Sequence, residues 1–294
     1  MQTLPPIKDK MKIKENRAAS YIVIALIYAF ASAVGITAYI LLDFQPWLRL
    51  LLADVLATVA TFVFSVILKN ASVYDPYWSV QPIIITFSLL PFFELTLAKL
   101  LPITVILIWG IRLTLNWAYT FKNLTHQDWR YSMLREKTGA LYPIINLLGI
   151  HMFPTLVVYS AVLPCVFLIQ LGGEINALGI LALAMSVFAV IMQGTADFQM
   201  HKFRKHASGG FIRCGLWKYS RHPNYLGEIL MWWGIALYAV SDIGFRWYFI
   251  FGAALNTLMF FVVSIPLAEG RQSRKAGFSE YKKHTRILLP IYRK

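Results

Sequence analysis

Charge is scarce in this chain. Of its 294 residues only 14% are Asp, Glu, Lys or Arg, against roughly a quarter in soluble domains, while 58% belong to the hydrophobic set. So little polar surface cannot solvate a globule of this size, which excludes an ordinary soluble enzyme, a disordered chain and a secreted scaffold. Acidic groups are the scarcer sign, 14 against 28 Lys and Arg, for a net charge of +14. In a soluble protein that excess would point to nucleic acid. Here it lies mostly between apolar runs, a pattern of membrane topology rather than of DNA binding. Cysteine is nearly absent: Cys165 in an apolar run and Cys214 in a basic loop form neither a disulfide framework nor a metal-ligand spacing. The six histidines include no HExxH or similar spacing, so no metal is expected, and His151, alone in an apolar run, reads as a helix-packing hydrogen bonder. No GxGxxG follows a strand pattern, and no duplication of the transporter kind relates the two halves.

What is present is a series of apolar runs, near 20–42, 47–68, 80–98, 101–120, 144–171, 176–198, 224–241 and 245–267. Each approaches the ~20 residues needed to cross a bilayer as a helix. They predict an all-α, multi-pass transmembrane bundle of eight helices, or seven where Pro82, Pro91 and Pro102 shorten or merge the third and fourth. The basic lead of the first run resembles a signal peptide, but the run is too long and lacks a cleavage site, so it reads as a retained helix. With the N-terminus in the cytoplasm, 24 of the 28 basic residues fall in the N-tail, at Lys69, and in segments 121–143, 199–222 and 269–294. Arg49, Lys99 and Arg246 fall on the other side, and Arg112 inside a run. That asymmetry places both termini in the cytoplasm, of a bacterial inner membrane or an endoplasmic reticulum alike. The organisation expected is a basic N-tail over 1–19, a bundle over 20–268 and a basic C-tail over 269–294. A site in the long cytoplasmic segments would meet soluble cofactors.

The densest polar constellation runs from Gly194 to Glu228. Asp197 and Gln199 end the sixth run, Arg204 follows, and Arg221, His222, Asn224, Tyr225 and Glu228 open the seventh, with Pro223 at a position suited to a first helical turn. A charge near membrane depth costs several kcal/mol unless it is paired or faces a wet cavity, so this density predicts a cavity. Cations beside a helix N-terminus suit a phosphate-bearing ligand, and Gly209, Gly210 and Gly215 permit close backbone approach. The plainer alternative is a set of interfacial anchors, with Trp217 and Tyr225 in the aromatic belt. An anchor, however, requires neither Asn nor Gln nor two carboxylates beside it. Arg112, with Asn116 one turn later, needs an inward partner, for which Asp75 and Asp128 are the candidates. In the tail, Lys282, Lys283, Arg293 and Lys294 suit attraction to anionic lipid, whereas Glu269 and Tyr281 suit it less.

The stretch GLWKYSRHPNYLGEILMWWGIAL is similar to the signature of the steroid 5-alpha-reductase-like membrane proteins, a superfamily that includes the sterol C14 reductases. Within it the chain most resembles the branch labelled a domain of unknown function. YDPYWSVQP (74–82), WGIRLTLNWA (109–118), QDWRY (127–131), ADFQ (196–199) and EYKKHTRILLP (280–290) extend the resemblance, in order, from about residue 70 onward. The resemblance implies an NADPH-dependent reductase of an activated C=C bond in a lipid-like enone or sterol that enters from the bilayer, with its cofactor among the C-terminal helices and cytoplasmic loops. By position it implies cofactor contacts at Asp197, Gln199, Arg204, Trp217, Arg221, His222, Asn224, Tyr225, Glu228, Glu269, Arg274 and Tyr281. Sterol reductases often have Lys where this chain has Met200, with Lys202 and Lys205 nearby, which leaves NADH as the alternative to NADPH.

Reduction of an enone takes a hydride at one carbon and a proton at the carbonyl side, so an acid must hold the substrate oxygen. Tyr77 and Asp75 are the preferred donors, with Tyr74, Asp128 and Tyr131 beside them in sequence; the plainer reading makes Asp75 and Asp128 helix caps. Two other functions fit the same fold. Membrane methyltransferases of the isoprenylcysteine or phospholipid type carry an RHPxY-like block and use S-adenosylmethionine, but they tend to show an acidic pair where Glu269 stands alone. A non-enzymatic lipid-binding protein would bind lipid and no dinucleotide.

Overall fold

The computed structural model describes residues 13–206 and 209–290. Lys8, Lys10, Lys12, Arg293 and Lys294 of the expected basic tails lie outside them. The described residues form helices throughout, with one isolated bridge between Ser220 and Arg286. Seven helical stretches are long and apolar enough to cross a membrane: Arg17–Leu41, Pro46–Ile67, Leu97–Thr120, Trp129–Leu171, Ala177–His206, Pro223–Ile243 and Trp247–Gln272. The count is therefore seven, not eight. The third apolar run yields only a helix Tyr77–Leu89, because Pro91 turns the chain into a short 3-10 segment, Leu90–Phe92, and Phe93 is extended.

The labels used below are α1 (Arg17–Leu41), α2 (Pro46–Ile67), α3 (Tyr77–Leu89), α4 (Leu97–Thr120), α5 (Trp129–Thr138), α6 (Phe153–Leu171), α7 (Ala177–His206), α8 (Pro223–Ile243), α9 (Trp247–Met259), α10 (Ile265–Gln272) and α11 (Phe278–His284). Two π-helical turns, Asn146–Met152 and Phe260–Ser264, interrupt the fourth and seventh spans. Glu269 thus sits in α10, inside the last span, rather than in a separate tail.

The chain divides into two compact units. One takes in the described part of Met1–Ile85 with Leu113–Tyr159, the other Thr86–Arg112 with Ser160–Lys294. In the first, Asn16 caps α1 by accepting from the Ala19 N–H at 3.0 Å. The buried positions of α1, Ser20, Ile24, Ile27, Ala31, Gly35 and Ala38, recur every three or four residues and form one face. That face packs on α2, where a Cβ at Gly35 would stand 3.3 Å from the Ala53 carbonyl oxygen, so the absence of a side chain sets the approach. The buried face of α2 is partly polar: Asp54, Thr58, Thr61 and Ser65.

In the second unit α7 packs along α8. Ala182, Ser186, Ala189 and Gln193 face Gly227, Met231 and Gly234, and a Cβ on either glycine would collide with the opposing helix. Small residues at this spacing let backbones approach where lipid supplies no hydrophobic drive. Ser186 Oγ adds a hydrogen bond to the Met231 carbonyl at 3.1 Å.

Candidate functional site

Polar side chains of three helices converge in the second unit. Arg112 of α4 donates Nη1 to Asp197 Oδ2 at 2.8 Å and Nη2 to Gln193 Oε1 at 2.9 Å, both on α7. Gln193 Nε2 donates in turn to Glu228 Oε2 on α8 at 2.6 Å. The Glu228 carboxylate also receives the indole N–H groups of Trp109 and Trp232, each at 2.8 Å. Asn224 Nδ2 reaches Asp197 Oδ1 at 3.3 Å. Helical spacing assembles this: Gln193 and Asp197 are four apart on α7, and Asn224, Glu228 and Trp232 stand at intervals of four on α8. Arg112 therefore pairs with Asp197 and not with Asp75 or Asp128. Those two are otherwise engaged, Asp75 by the Tyr131 hydroxyl at 2.7 Å and Asp128 by capping α5 and binding Arg130 at 2.8 Å.

A second group fastens the C-terminal segment to the start of α8. The Arg221 N–H donates to the Arg286 carbonyl at 3.0 Å and the His222 N–H to that of Ile287 at 3.2 Å. Glu269 draws three basic side chains together: Arg221 Nε at 2.6 Å, Lys282 Nζ at 2.9 Å and His222 Nε2 at 3.5 Å. Arg221 Nη1 also donates to the Thr285 carbonyl. The His222 ring lies parallel to that of Tyr225, with centroids 5.1 Å apart. Tyr281 donates its hydroxyl to the Trp217 carbonyl, and burial pushes that phenol up to about 12. The Trp217 indole donates to the Ala196 carbonyl at 3.1 Å. Gln199 Oε1 accepts from the Leu216 N–H at 2.9 Å and fills the space where Gly215, at φ +61°, carries no side chain. Met200 packs with Ile212 and Trp217 in a small apolar cluster.

Eight of the residues expected around a cofactor thus have side chains hydrogen-bonded inside the protein: Asp197, Gln199, Trp217, Arg221, Asn224, Glu228, Glu269 and Tyr281. His222 is buried and approaches Glu269, but its Nε2 has no hydrogen-bond partner. Tyr225 is half-buried and stacked, while Arg204 and Arg274 are exposed. Arg204, in the last turn of α7, has cationic company that the sequence reading did not foresee. Burial, then Arg271 and Arg204, hold the Lys275 ammonium below its usual value. Lys275 also donates to the Gly210 carbonyl. Like charges that act on one another in this way suit an anion.

In the first unit the two expected proton donors part company. Asp75 is half-buried beside Tyr131; burial pushes its carboxyl up to about 6, with the Tyr131 hydroxyl opposing the shift. Tyr77, fully buried, donates instead to Asp54 Oδ1 at 3.2 Å, and burial holds its phenol well above the usual range. Thr58 Oγ1 stands 3.4 Å behind the Tyr77 oxygen and 3.0 Å from Thr155 Oγ1, which in turn is 2.7 Å from the Tyr74 hydroxyl. Asp54 is 4% exposed; its Oδ2 makes no hydrogen bond of ordinary geometry, but the buried Gln81 side chain, whose Nε2 is likewise unpaired, interacts with the same carboxyl. Sequence reasoning missed Asp54. The signal was a lone carboxylate within the apolar LLADVLATVATF, a pattern that marks function by default.

Residues 61–285 match the family described as Protein of unknown function (DUF1295). The chain belongs to the DUF1295 family. The match takes in Tyr77, Asp75 and every residue of the second unit's polar groups named as cofactor contacts, while Asp54 lies just upstream of it. An uncharacterized protein of Schizosaccharomyces pombe is 28% identical over an alignment 220 residues long, and that alignment covers 64% of this DUF1295 chain. The same alignment spans only 63% of that relative's length. No solved structure matches the chain.

Proposed function

We propose that this DUF1295 protein is an integral membrane reductase of an activated C=C bond in a lipid-soluble enone, of the steroid or sterol kind, using NADPH, with NADH as the alternative. The observation that carries the reading is the buried Tyr77–Asp54 pair. A tyrosine hydroxyl bonded to a deeply buried carboxyl is an arrangement that can hold a carbonyl oxygen and pass it a proton. The Tyr77 O–H turns from Asp54 Oδ1 to the substrate oxygen as negative charge develops there, and Thr58, itself held by Thr155, donates to the phenol oxygen. Burial keeps the proton on Tyr77 until that charge appears, which suppresses its loss to water.

The dinucleotide, when bound, supplies the hydride. Arg204, Arg271 and Lys275 would take its phosphates, since their mutual repulsion is relieved by an anion. Arg221, Glu269, Lys282 and Tyr281 fasten the C-terminal segment that carries Arg271, Arg274 and Lys275. Arg112, Asp197, Gln193 and Glu228 join α4, α7 and α8. The resemblance to steroid 5-alpha-reductase-like proteins supports the same chemistry. For a methyltransferase, Glu269 would be the carboxylate nearest in role to a sulfonium partner, but it is engaged by three basic side chains.

The test is NADPH oxidation by purified protein against a panel of enones and sterols, together with quenching of tryptophan fluorescence by NADPH and by S-adenosylmethionine. Turnover that falls at least about 100-fold in Tyr77→Phe, with NADPH quenching unchanged, supports the reading. Quenching by S-adenosylmethionine alone would overturn it.

A further inference from the structure

The π turn Asn146–Met152 ends a row of rings in the first unit and holds His151, which is completely buried. Its Nδ1 stands 2.9 Å from the Asn146 carbonyl oxygen, five residues back. A carbonyl can only accept, so Nδ1 carries the hydrogen of the neutral ring and Nε2 presents its lone pair. That Nε2 has no partner. Its ring lies 4.7 Å from the Tyr74 ring and edge-on to Phe62 at 5.5 Å, so it is walled by aromatic carbon. On the same turn Asn146 donates Nδ2 to Ser65 Oγ at 3.4 Å, while its own Oδ1, on a side chain 4% exposed, is also bare.

Two bare acceptors stand on one turn, where the nearby hydroxyls of Ser65, Tyr74 and Thr155 are hydrogen-bonded elsewhere, and what they lack is a hydrogen-bond donor. An unmet buried acceptor is costly, and a ligand hydroxyl would remove that cost. Widened π turns are frequent at functional sites, and this one sets His151 Nδ1 on its own helix and leaves Nε2 unpaired among the rings of Tyr74 and Phe62. We infer that His151 Nε2, with Asn146 beside it, is a recognition site for the hydroxyl of a lipid-soluble alcohol. The site takes a donor, so it accepts an alcohol and refuses its ether. It involves no bond making and stands apart from the reductase reading, which concerns Tyr77 and Asp54.

The experiment uses full-length protein in lipid nanodiscs with nitrogen-labelled histidine, and follows the imidazole nitrogen resonances by NMR. The probes are farnesol and cholesterol, each against its own methyl ether, which keeps the oxygen and the apolar body but loses the donor. One Nε2 resonance should begin at a bare-acceptor position and move to a hydrogen-bonded one with an alcohol, and stay put with the ether. That resonance is assigned by its loss in His151→Phe. Where His151→Phe does not fold, His151→Gln serves instead. Binding of the alcohol over its ether should be favoured about 3- to 10-fold in the native protein, the worth of one neutral hydrogen bond, and about equal in the variant. An Nε2 that is hydrogen-bonded before any ligand, equal response to alcohol and ether, or no response to either probe overturns the inference. An alcohol preference in a protein without NADPH turnover would leave it standing while the reductase reading fails.

Discussion

At the scale of single residues, Asp54 and Asp75 show how one side-chain type takes two roles. Asp54 faces the Tyr77 hydroxyl with Gln81 acting on the same carboxyl, whereas Asp75 is tied to Tyr131. Asp54→Asn should therefore lower enone turnover about 100-fold or more while leaving NADPH quenching unchanged, as read from steady-state rates and fluorescence on the same preparation. Asp75 makes a different prediction, about pH. Its carboxyl rises from 3.8 to about 6 on folding, so between those values the folded chain binds more protons than the unfolded one. Its contribution to stability is accordingly full below about pH 4, falls as pH rises through the window, and is lost above about 6. Thermal unfolding in detergent at a series of pH values should show that decline, and Asp75→Asn should flatten it.

Among elements, the contact that matters most is the one between α10 and the start of α8. Arg221 is nearly enclosed there, and Glu269 is its carboxylate partner at 2.6 Å. Glu269→Ala leaves a buried guanidinium uncompensated, a loss of about 3–5 kcal/mol by precedent for broken buried pairs. Release of residues 273–290 from the α8 start should follow, seen as faster limited proteolysis of the C-terminal segment than in the native protein. The α7–α8 seam fails in another way. Gly234→Val puts methyl groups into the Ser186 side chain and the Ala182 carbonyl, and the helices must separate. Overpacking of this kind costs about 1–3 kcal/mol or more, and the yield of monodisperse protein in detergent reports it.

For the whole molecule the expectation is orientation. The basic segments that hold Arg204, Arg213 and Arg271 belong on the cytoplasmic side if the positive-inside asymmetry governs insertion. Cys214 is exposed in one of those segments and Cys165 is buried, so the native chain already carries its reporter. A membrane-impermeant maleimide should label Cys214 in inverted vesicles and spare it in right-side-out ones. The reverse pattern would place the proposed phosphate cations away from the soluble dinucleotide pool.

The sequence by itself determined that this is a helical membrane protein, because apolar length and scarce charge are properties of composition that no packing can reverse. It also marked the polar stretch from Asp197 to Glu228, since groups so costly at membrane depth announce themselves wherever they fall. Tertiary structure alone decided the partners. Arg112 meets Asp197 rather than Asp75, Tyr77 meets Asp54 rather than its sequence neighbour, and Arg204 and Arg271 both act on Lys275, because each grouping joins residues distant in the chain. The helix count turned on Pro91, whose break a hydropathy pattern averages away. Composition reports what a segment costs in each solvent, whereas the direction of a side chain follows from how helices rotate and pack against their neighbours. That is why the expense of these groups was visible in the chain and their roles were not.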